Sequence, residues 1–432
     1  MKKIVTLSIA LLTGFSTYAG NEINSGDTAW MLMSTALVMM MTPAGLALFY
    51  SGLTQNKSVL NTIGMSFVSF CTGILAWVIL GYSLAFAEGN AFIGGFDYFL
   101  LNGISPTDTN GAGIPKLLDV MFQGTFAAIA IAIVSGAIIE RIKFSTWIIF
   151  SFFWVLVVYA PVCHWVWGSE GFLHGDLDFA GGTVIHVNAG VAGLVLSLLL
   201  GKRLHLDEER KPSSIKLMIL GAALLWFGWH GFNGGSAYAA NGIAASAILT
   251  TNVAACIGGL VWLIIEWKIV KKPTLIGVAS GAVSGLVAIT PAAGYVDVSG
   301  ALAIGAIGSL VGYWGVVKFK SFTGHDDTLD AFGMHGLVGI AGAILTGVFA
   351  TSSINPDGAG WIDGNPWQVL KQLNAVGATI VYSAIGTYVV FVIASKITGG
   401  ARIHKKHELE GMDISYHGES QINIDKHNID DL

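Results

Sequence analysis

The chain has 432 residues, of which 11% are charged, 53% belong to the AVILMFWYC set and 56 are glycine; an ordinary soluble domain carries roughly 25% charge. That is too little charge to coat a soluble body of this size and too much apolar mass for a disordered chain. The net charge of -5 excludes a strongly basic nucleic-acid binder, which leaves a polytopic membrane protein unusually rich in glycine.

At the start, Lys2 and Lys3 precede an apolar run over residues 4–15, and Thr17-Tyr18-Ala19 puts small residues around a cut after Ala19. The run is too short to cross a bilayer core of roughly 30 Å, which needs about 20 residues. Residues 1–19 therefore read as a cleaved bacterial-type signal peptide, with the mature N-terminus outside. Eleven long apolar segments follow, near 28–52, 60–86, 118–139, 144–166, 181–200, 215–235, 242–268, 274–292, 299–317, 331–350 and 374–397. They are continuous runs, unlike the alternating strands of an outer-membrane barrel. The predicted class is an all-α membrane protein with eleven transmembrane helices. The transmembrane domain covers 20–399, and the polar residues 400–432 form a cytoplasmic tail.

Orientation follows from loop lysines and arginines. With the N-terminus outside, the inner loops and tail hold eighteen of them, among them Lys57, Arg141, Arg203, Lys271, Lys320 and Arg402. The outer loops hold two, Lys116 and Lys371. The prediction is N-out and C-in, multi-pass in the bacterial inner (plasma) membrane. Cys71, Cys163 and Cys256 lie in apolar runs without paired or metal-ligand spacing, and read as small buried side chains.

The fifth and tenth segments repeat. One reads His186-Val187-Asn188-Ala189-Gly190-Val191-Ala192-Gly193 and the other His335-Gly336-Leu337-Val338-Gly339-Ile340-Ala341-Gly342. A repeat of five segments is odd, so its two copies have opposite topology, and the eleventh helix stands outside it. Inverted repeats of this kind put the substrate path at their interface. Each histidine lies roughly 10 Å deep from its own face, at ~1.5 Å per residue, so the two imidazoles are expected to touch.

Ionisable groups inside spans are costly and mark candidate sites. His186 and His335 fit a conduction or proton-relay role, because imidazole both donates and accepts. A metal site fits less well, since zinc wants three or four ligands and no third stands at that depth. Asp178 and Asp330 precede the two histidine segments and read as helix caps. The cap is the favoured role of Asp330, whereas Asp178 also suits attraction of a cation. Phe122 and Phe126 share one helix face. Trp165, Trp167, Trp229, Phe232 and Ser236 gather near outer span ends. They form either an interfacial aromatic belt or a cage for a small cation. A bare ion meets a barrier of order 20 kcal/mol in a low-dielectric path. A site that strips a proton from its ion could pass a neutral molecule, and potassium has no proton to give up.

The motifs resemble the ammonium transporter (Amt) family of the Amt/Rh group. They include Thr42-Pro43-Ala44-Gly45, Phe122-Gln123-Gly124-Thr125-Phe126, Glu140-Arg141-Ile142-Lys143-Phe144 and Leu177-Asp178-Phe179-Ala180-Gly181-Gly182-Thr183-Val184-Ile185-His186. Gly231-Phe232-Asn233-Gly234-Gly235-Ser236, Thr290-Pro291-Ala292-Ala293-Gly294-Tyr295, Phe332-Gly333-Met334-His335-Gly336 and the tail's Gly411-Met412-Asp413 continue it. Asp178 with the following Phe-Ala-Gly-Gly, together with Ser236, favours Amt over Rh. The resemblance implies a homotrimer with one pore per subunit that carries ammonium, or methylammonium as an analogue, in nitrogen metabolism. It implies an outer recruitment site at Phe126, Trp167 and Ser236 with Asp178 as its acid, a gate at Phe126 and Phe232, and twin pore histidines at His186 and His335. Phe122, Trp229, Thr290 and Asp330 match positions lining or supporting the path. A PII-type regulatory protein at the inner face is an implied partner. No cofactor and no enzymatic activity are expected. His230 and Gly168-Ser169-Glu170 depart from the pattern.

Overall fold

The computed structural model describes residues 22–204, 206 and 211–420; the signal-peptide assignment lies outside them. Among the described residues, ten helices are long and apolar enough to cross a membrane. They are α1 (Ser25–Leu53), α2 (Asn56–Phe86), α3 (Lys116–Ser135), α4 (Phe144–Trp167), α5 (Gly182–Leu200), α6 (Ile215–Gly235), α7 (Gly242–Ile269), α9 (Val298–Thr323), α10 (Phe332–Phe349) and α11 (Trp367–Ile397). The eighth apolar segment forms a shorter helix, α8 (Leu275–Ile289). Its chain leaves the helix at Thr290, just before Pro291, whose ring cannot supply a backbone donor. At 15 residues it rises ~22 Å, the rest of the segment being turn.

Local chemistry sets the helix ends. Asn24, Ser214, Asn241, Thr274 and Asp297 cap α1, α6, α7, α8 and α9 with side-chain oxygens on free N–H groups. Pro43 inside α1 is accommodated by a π-helical turn over Met41–Leu46, which loosens the ladder that proline would otherwise break. The same device opens α5 and α10: π-helical turns span Gly182–Val187 and Phe332–Leu337, and each carries a histidine.

Glycine decides which helices meet closely. A methyl at Gly258 would strike the Gly281 carbonyl of α8, and one at Gly305 the Ala254 backbone of α7, so α7, α8 and α9 pack backbone to backbone. In its most apolar stretch α3 is 89% buried, against 39% for α2, α7 and α11, which puts α3 at the centre and those three at the rim. Their outward side chains, such as Phe67, Leu260 and Ile385, are exposed and apolar, as a bilayer requires. Cys71 and Cys256 share that outer surface and only Cys163 is buried. Apolar runs in a membrane protein do not distinguish core from lipid-facing sides.

The ends are tied by polar contacts. A hairpin of β1 (Gly89–Asn90) and β2 (Ile93–Gly94) is braced by His164, whose ring nitrogens meet the Ala85 and Asn90 carbonyls at 2.8 and 2.7 Å. At the other end Arg203 grips Asp326 (2.7 Å) and Glu140 (2.8 Å), all nearly buried, and Arg141 donates to Thr328 and to the Asp326 carbonyl. The tail folds back on the same end. Asp413 accepts from the Leu60 and Asn61 amides in the first turns of α2, and Lys57 donates to the Leu409 carbonyl at 2.7 Å.

Candidate functional site: two cavities divided by a phenylalanine pair

A vestibule of about 830 Å³ opens between the start of α3 and the C-terminal ends of α4 and α6, and Phe126, Trp167, Asp178 and Ser236 all line it. The edge of Phe126 meets Trp167 with ring centroids 6.1 Å apart. Trp167 donates its indole N–H to the Asp178 carbonyl at 2.8 Å, which fixes the plane of the ring. Ser236 donates to the Phe232 carbonyl at 2.9 Å and keeps its oxygen as an acceptor. The other outer tryptophan differs. Trp165 donates to the Phe92 carbonyl and packs on Phe172 and Tyr382, so it anchors the hairpin and does not line the vestibule.

A second cavity of about 10 Å³ lies beyond, lined by His186, His335, Trp229, Phe232 and apolar side chains including Ile133, Leu225 and Val283. That is close to the space of one water. The two cavities share no lining residue. Phe126 belongs to the first and Phe232 to the second, and their rings meet at 4.4 Å. Phe122 is fully buried and props Phe126 edge-on at 4.7 Å.

The histidines touch, as their depths required: His186 Nδ1 and His335 Nδ1 are 3.1 Å apart. One ring therefore donates and the other accepts, so two neutral imidazoles leave one bare Nε2 and one Nε2–H. The His186 ring meets His335 edge to edge and nearly coplanar (centroids 5.2 Å, 21°) and lies nearly parallel to Trp229 (5.8 Å, 22°). Trp229 is held by its N–H to the Thr290 hydroxyl at 2.9 Å. His186 Nε2 is buried without a protein partner among the described residues.

Asp178 caps α5 fully. Its carboxylate accepts from the Gly181, Gly182, Thr183 and Val184 amides at 2.6–3.0 Å. The expected cap by Asp330 is corrected. Asp327, not Asp330, accepts from the Ala331 and Phe332 amides, while Asp330 pairs with Lys320 at 2.8 Å and lines neither cavity. The repeat explains why: Asp178 precedes His186 by eight positions, and Asp327 precedes His335 by the same eight. Asp330 instead matches Gly181, and both have left-handed φ, 60° and 111°, a conformation that aspartate tolerates better than most residues. His230 lies between α6 and α7, accepting from Asn252 and meeting the Phe227 carbonyl, away from both cavities.

The Ammonium Transporter Family model matches residues 29–422. The chain belongs to the ammonium transporter family. It is 49% identical over 424 residues to an ammonium transporter of Aquifex aeolicus (97% of this chain, 99% of that one). It is 47% identical to one of Bacillus subtilis (91% and 98%). The crystal structure of Saccharomyces cerevisiae Mep2 superposes with TM-score 0.83 at 35% identity over 89% of this chain and 88% of that one. A sensor Amt protein matches with TM-score 0.83 at 26% identity (90% and 98%). This is a family of membrane transporters, not of enzymes. Sequence reasoning missed Asp327, which the spacing to His335 would have found. It named none of the apolar residues that line the second cavity, such as Ile133, Leu225 and Val283, because cavity-lining and core residues are the same types.

Proposed function

We propose that this ammonium transporter recruits NH4+ in the outer vestibule, removes a proton there, and passes NH3 through the lumen along the two imidazoles, with or without the proton following. The single observation that carries the reading is the Phe126–Phe232 contact, which divides a wide aromatic vestibule from a narrow cavity lined by paired histidines. In the vestibule the faces of Phe126 and Trp167 attract a cation, and the Ser236 oxygen accepts one of its N–H bonds. Asp178 contributes as a structural charge: its lone pairs are occupied by amides, so it acts on the ion at a distance and by holding Trp167. Beyond the phenylalanine pair the walls are apolar, and an intact ion would lose its hydration there without replacement. A neutral NH3 keeps donors and acceptor in play against the two Nε2 atoms. Potassium has no neutral form and stops at the vestibule. Phe122, Trp229 and Thr290 support the path by fixing Phe126 and His186.

In the same proposal the eleven helices cross N-out and C-in, residues 1–19 are a signal peptide, 20–399 are the transporting domain and 400–432 are a cytoplasmic tail. The excess of basic residues in the inner loops supports this orientation. The homotrimer, and a PII-type protein at the basic inner face, are carried by the family resemblance. The bacterial relatives support the inner membrane. The test is methylammonium uptake into proteoliposomes alongside currents with ammonium or potassium. His186→Ala and His335→Ala should each abolish selective uptake or admit potassium. Wild-type behaviour in both variants would refute the relay.

A further inference from the structure

The loop before α5 carries two acids, Asp176 and Asp178, and both line the outer vestibule. They are in opposite states. Asp178 has every lone pair engaged by the four amides described above. Asp176 has none engaged: both of its carboxylate oxygens are buried, and neither has a hydrogen-bond partner among the described residues. The nearest donor is the buried hydroxyl of Thr183, which acts on the Asp176 carboxyl without closing a well-aligned hydrogen bond. Lys371 acts on Asp176 only at longer range.

The arrangement is built and rigid. Gln368 donates to the Gly175 carbonyl at 3.1 Å. Gln372, fully buried, accepts from the Leu177 amide at 2.8 Å and donates to the Leu177 carbonyl at 2.9 Å. The backbone on both sides of Asp176 is thus stapled to α11. A fixed, buried carboxylate with free lone pairs is costly unless a donor or cation reaches it. Burial and the nearby Asp178 charge push its pKa well up, against the pull of Lys371 and of the Thr183 hydroxyl.

We propose that Asp176 is a second cation-binding carboxylate of the outer vestibule. It holds ammonium or a small alkylammonium between its carboxylate and the Thr183 hydroxyl before the ion reaches Phe126 and Trp167. The inference rests on the proposed transport function and deepens it. The attraction of a cation that the sequence suggested for Asp178 is joined, in this proposal, by direct contact with its neighbour two positions earlier. A tetrahedral N–H donor suits the pair of acceptors, since each can take a directed hydrogen bond from the same ion.

The test measures methylammonium uptake against concentration in proteoliposomes holding wild type, Asp176→Asn or Lys371→Gln. Asp176→Asn keeps the shape and removes the charge. It should raise the half-saturating concentration roughly three- to ten-fold, the scale of one partly screened charge contact, with the maximal rate retained. Lys371→Gln removes a competing cation and should lower that concentration by about two-fold on the same reasoning. It leaves the carboxylate in place, so it decides the matter if Asp176→Asn does not fold. An unchanged half-saturation in Asp176→Asn, or in Lys371→Gln where that alone is recovered, overturns the proposal. Wild type that takes up no methylammonium would instead refute the transport function itself.

Discussion

Gly339 of α10 packs against the base of His186: a methyl added there would lie 3.0 Å from the His186 Cβ. Its counterpart Gly190, four residues after His186 as Gly339 is after His335, leaves no room for a methyl against the Gly336 backbone. The contact between the imidazoles is therefore a product of two glycines. They let α5 and α10 cross at backbone distance, and the side chains one turn away have no choice but to meet.

This makes the two glycines separable in their effects. In Gly190→Ala the methyl meets backbone, which cannot move aside; in Gly339→Ala it meets contacts of 3.0–3.2 Å that yield by a few tenths of an ångström. Overpacking of this kind costs about 1–3 kcal/mol. Gly190→Ala should lie at or beyond the top of that range and lose uptake, with Gly339→Ala milder on both counts. Gly377→Ala on α11 meets nothing within 4 Å and serves as the control. Thermal unfolding in detergent, read beside methylammonium uptake, ranks the three. Equal behaviour of Gly190→Ala and Gly377→Ala would remove the crossing from the explanation.

Much of this was legible in the sequence. The histidine-opened repeat in two spans, with each histidine at a similar depth from opposite faces, led to the contact found at 3.1 Å. Trp167 and Trp165 were not separable, because a tryptophan at a span end looks alike whether it faces a cavity or braces a hairpin. Nor was the direction in which each aspartate cap points. Asp330 lies nearer its histidine in sequence, but the left-handed turn at that residue sends its side chain to Lys320.

Asp327 and Asp330 can be told apart by experiment. Loss of a capping carboxylate costs about 0.5–2 kcal/mol, and here it also frees the turn that carries His335. Asp327→Ala should lower both thermal stability and uptake. Asp330→Asn keeps a residue that accepts left-handed φ and gives up only a partly exposed ion pair, for which about 0–1 kcal/mol is typical. It should stay close to wild type. Reversal of that order would return the cap to Asp330.

The buried cluster of Arg203, Asp326 and Glu140 bears on the acid limit of stability. Burial alone would raise the Asp326 carboxyl, but the hydrogen bonds and charge of Arg203 outweigh it and hold Asp326 well below the ordinary carboxylate range. A carboxyl depressed on folding stabilises the protein above its unfolded value of about 3.9 and loses that contribution as pH falls through the folded value. Stability should be flat from neutral pH to about pH 5 and fall below it. Arg203→Ala takes the main cation from Asp326 and Glu140, which keep Arg141 and the Gln55 amide, and should cost up to about 3–5 kcal/mol at neutral pH, with a weaker acid fall. Unfolding of wild type and variant across pH 3–8, on the order of the range where carboxylates titrate, checks both slopes. An acid fall of equal steepness in Arg203→Ala would assign it to other acids.

Trp167 and Ser236 test the aromatic cage against the belt. If Trp167 served only to seat the helix at the interface, Trp165 would be equivalent to it. The two rings are held by different bonds, one to the Asp178 carbonyl beside the vestibule and one to the Phe92 carbonyl in the hairpin. Removing an exposed cation–π contact costs about 0.5–1 kcal/mol, and a desolvated one about 2 kcal/mol. Trp167→Ala with Ser236→Ala should therefore raise the half-saturating methylammonium concentration by roughly three- to thirty-fold. Trp165→Phe, which keeps the ring and loses one hydrogen bond, should lower stability and leave the concentration dependence alone. A shift of the same size in Trp165→Phe, or none in the double variant, would make the outer aromatics a belt.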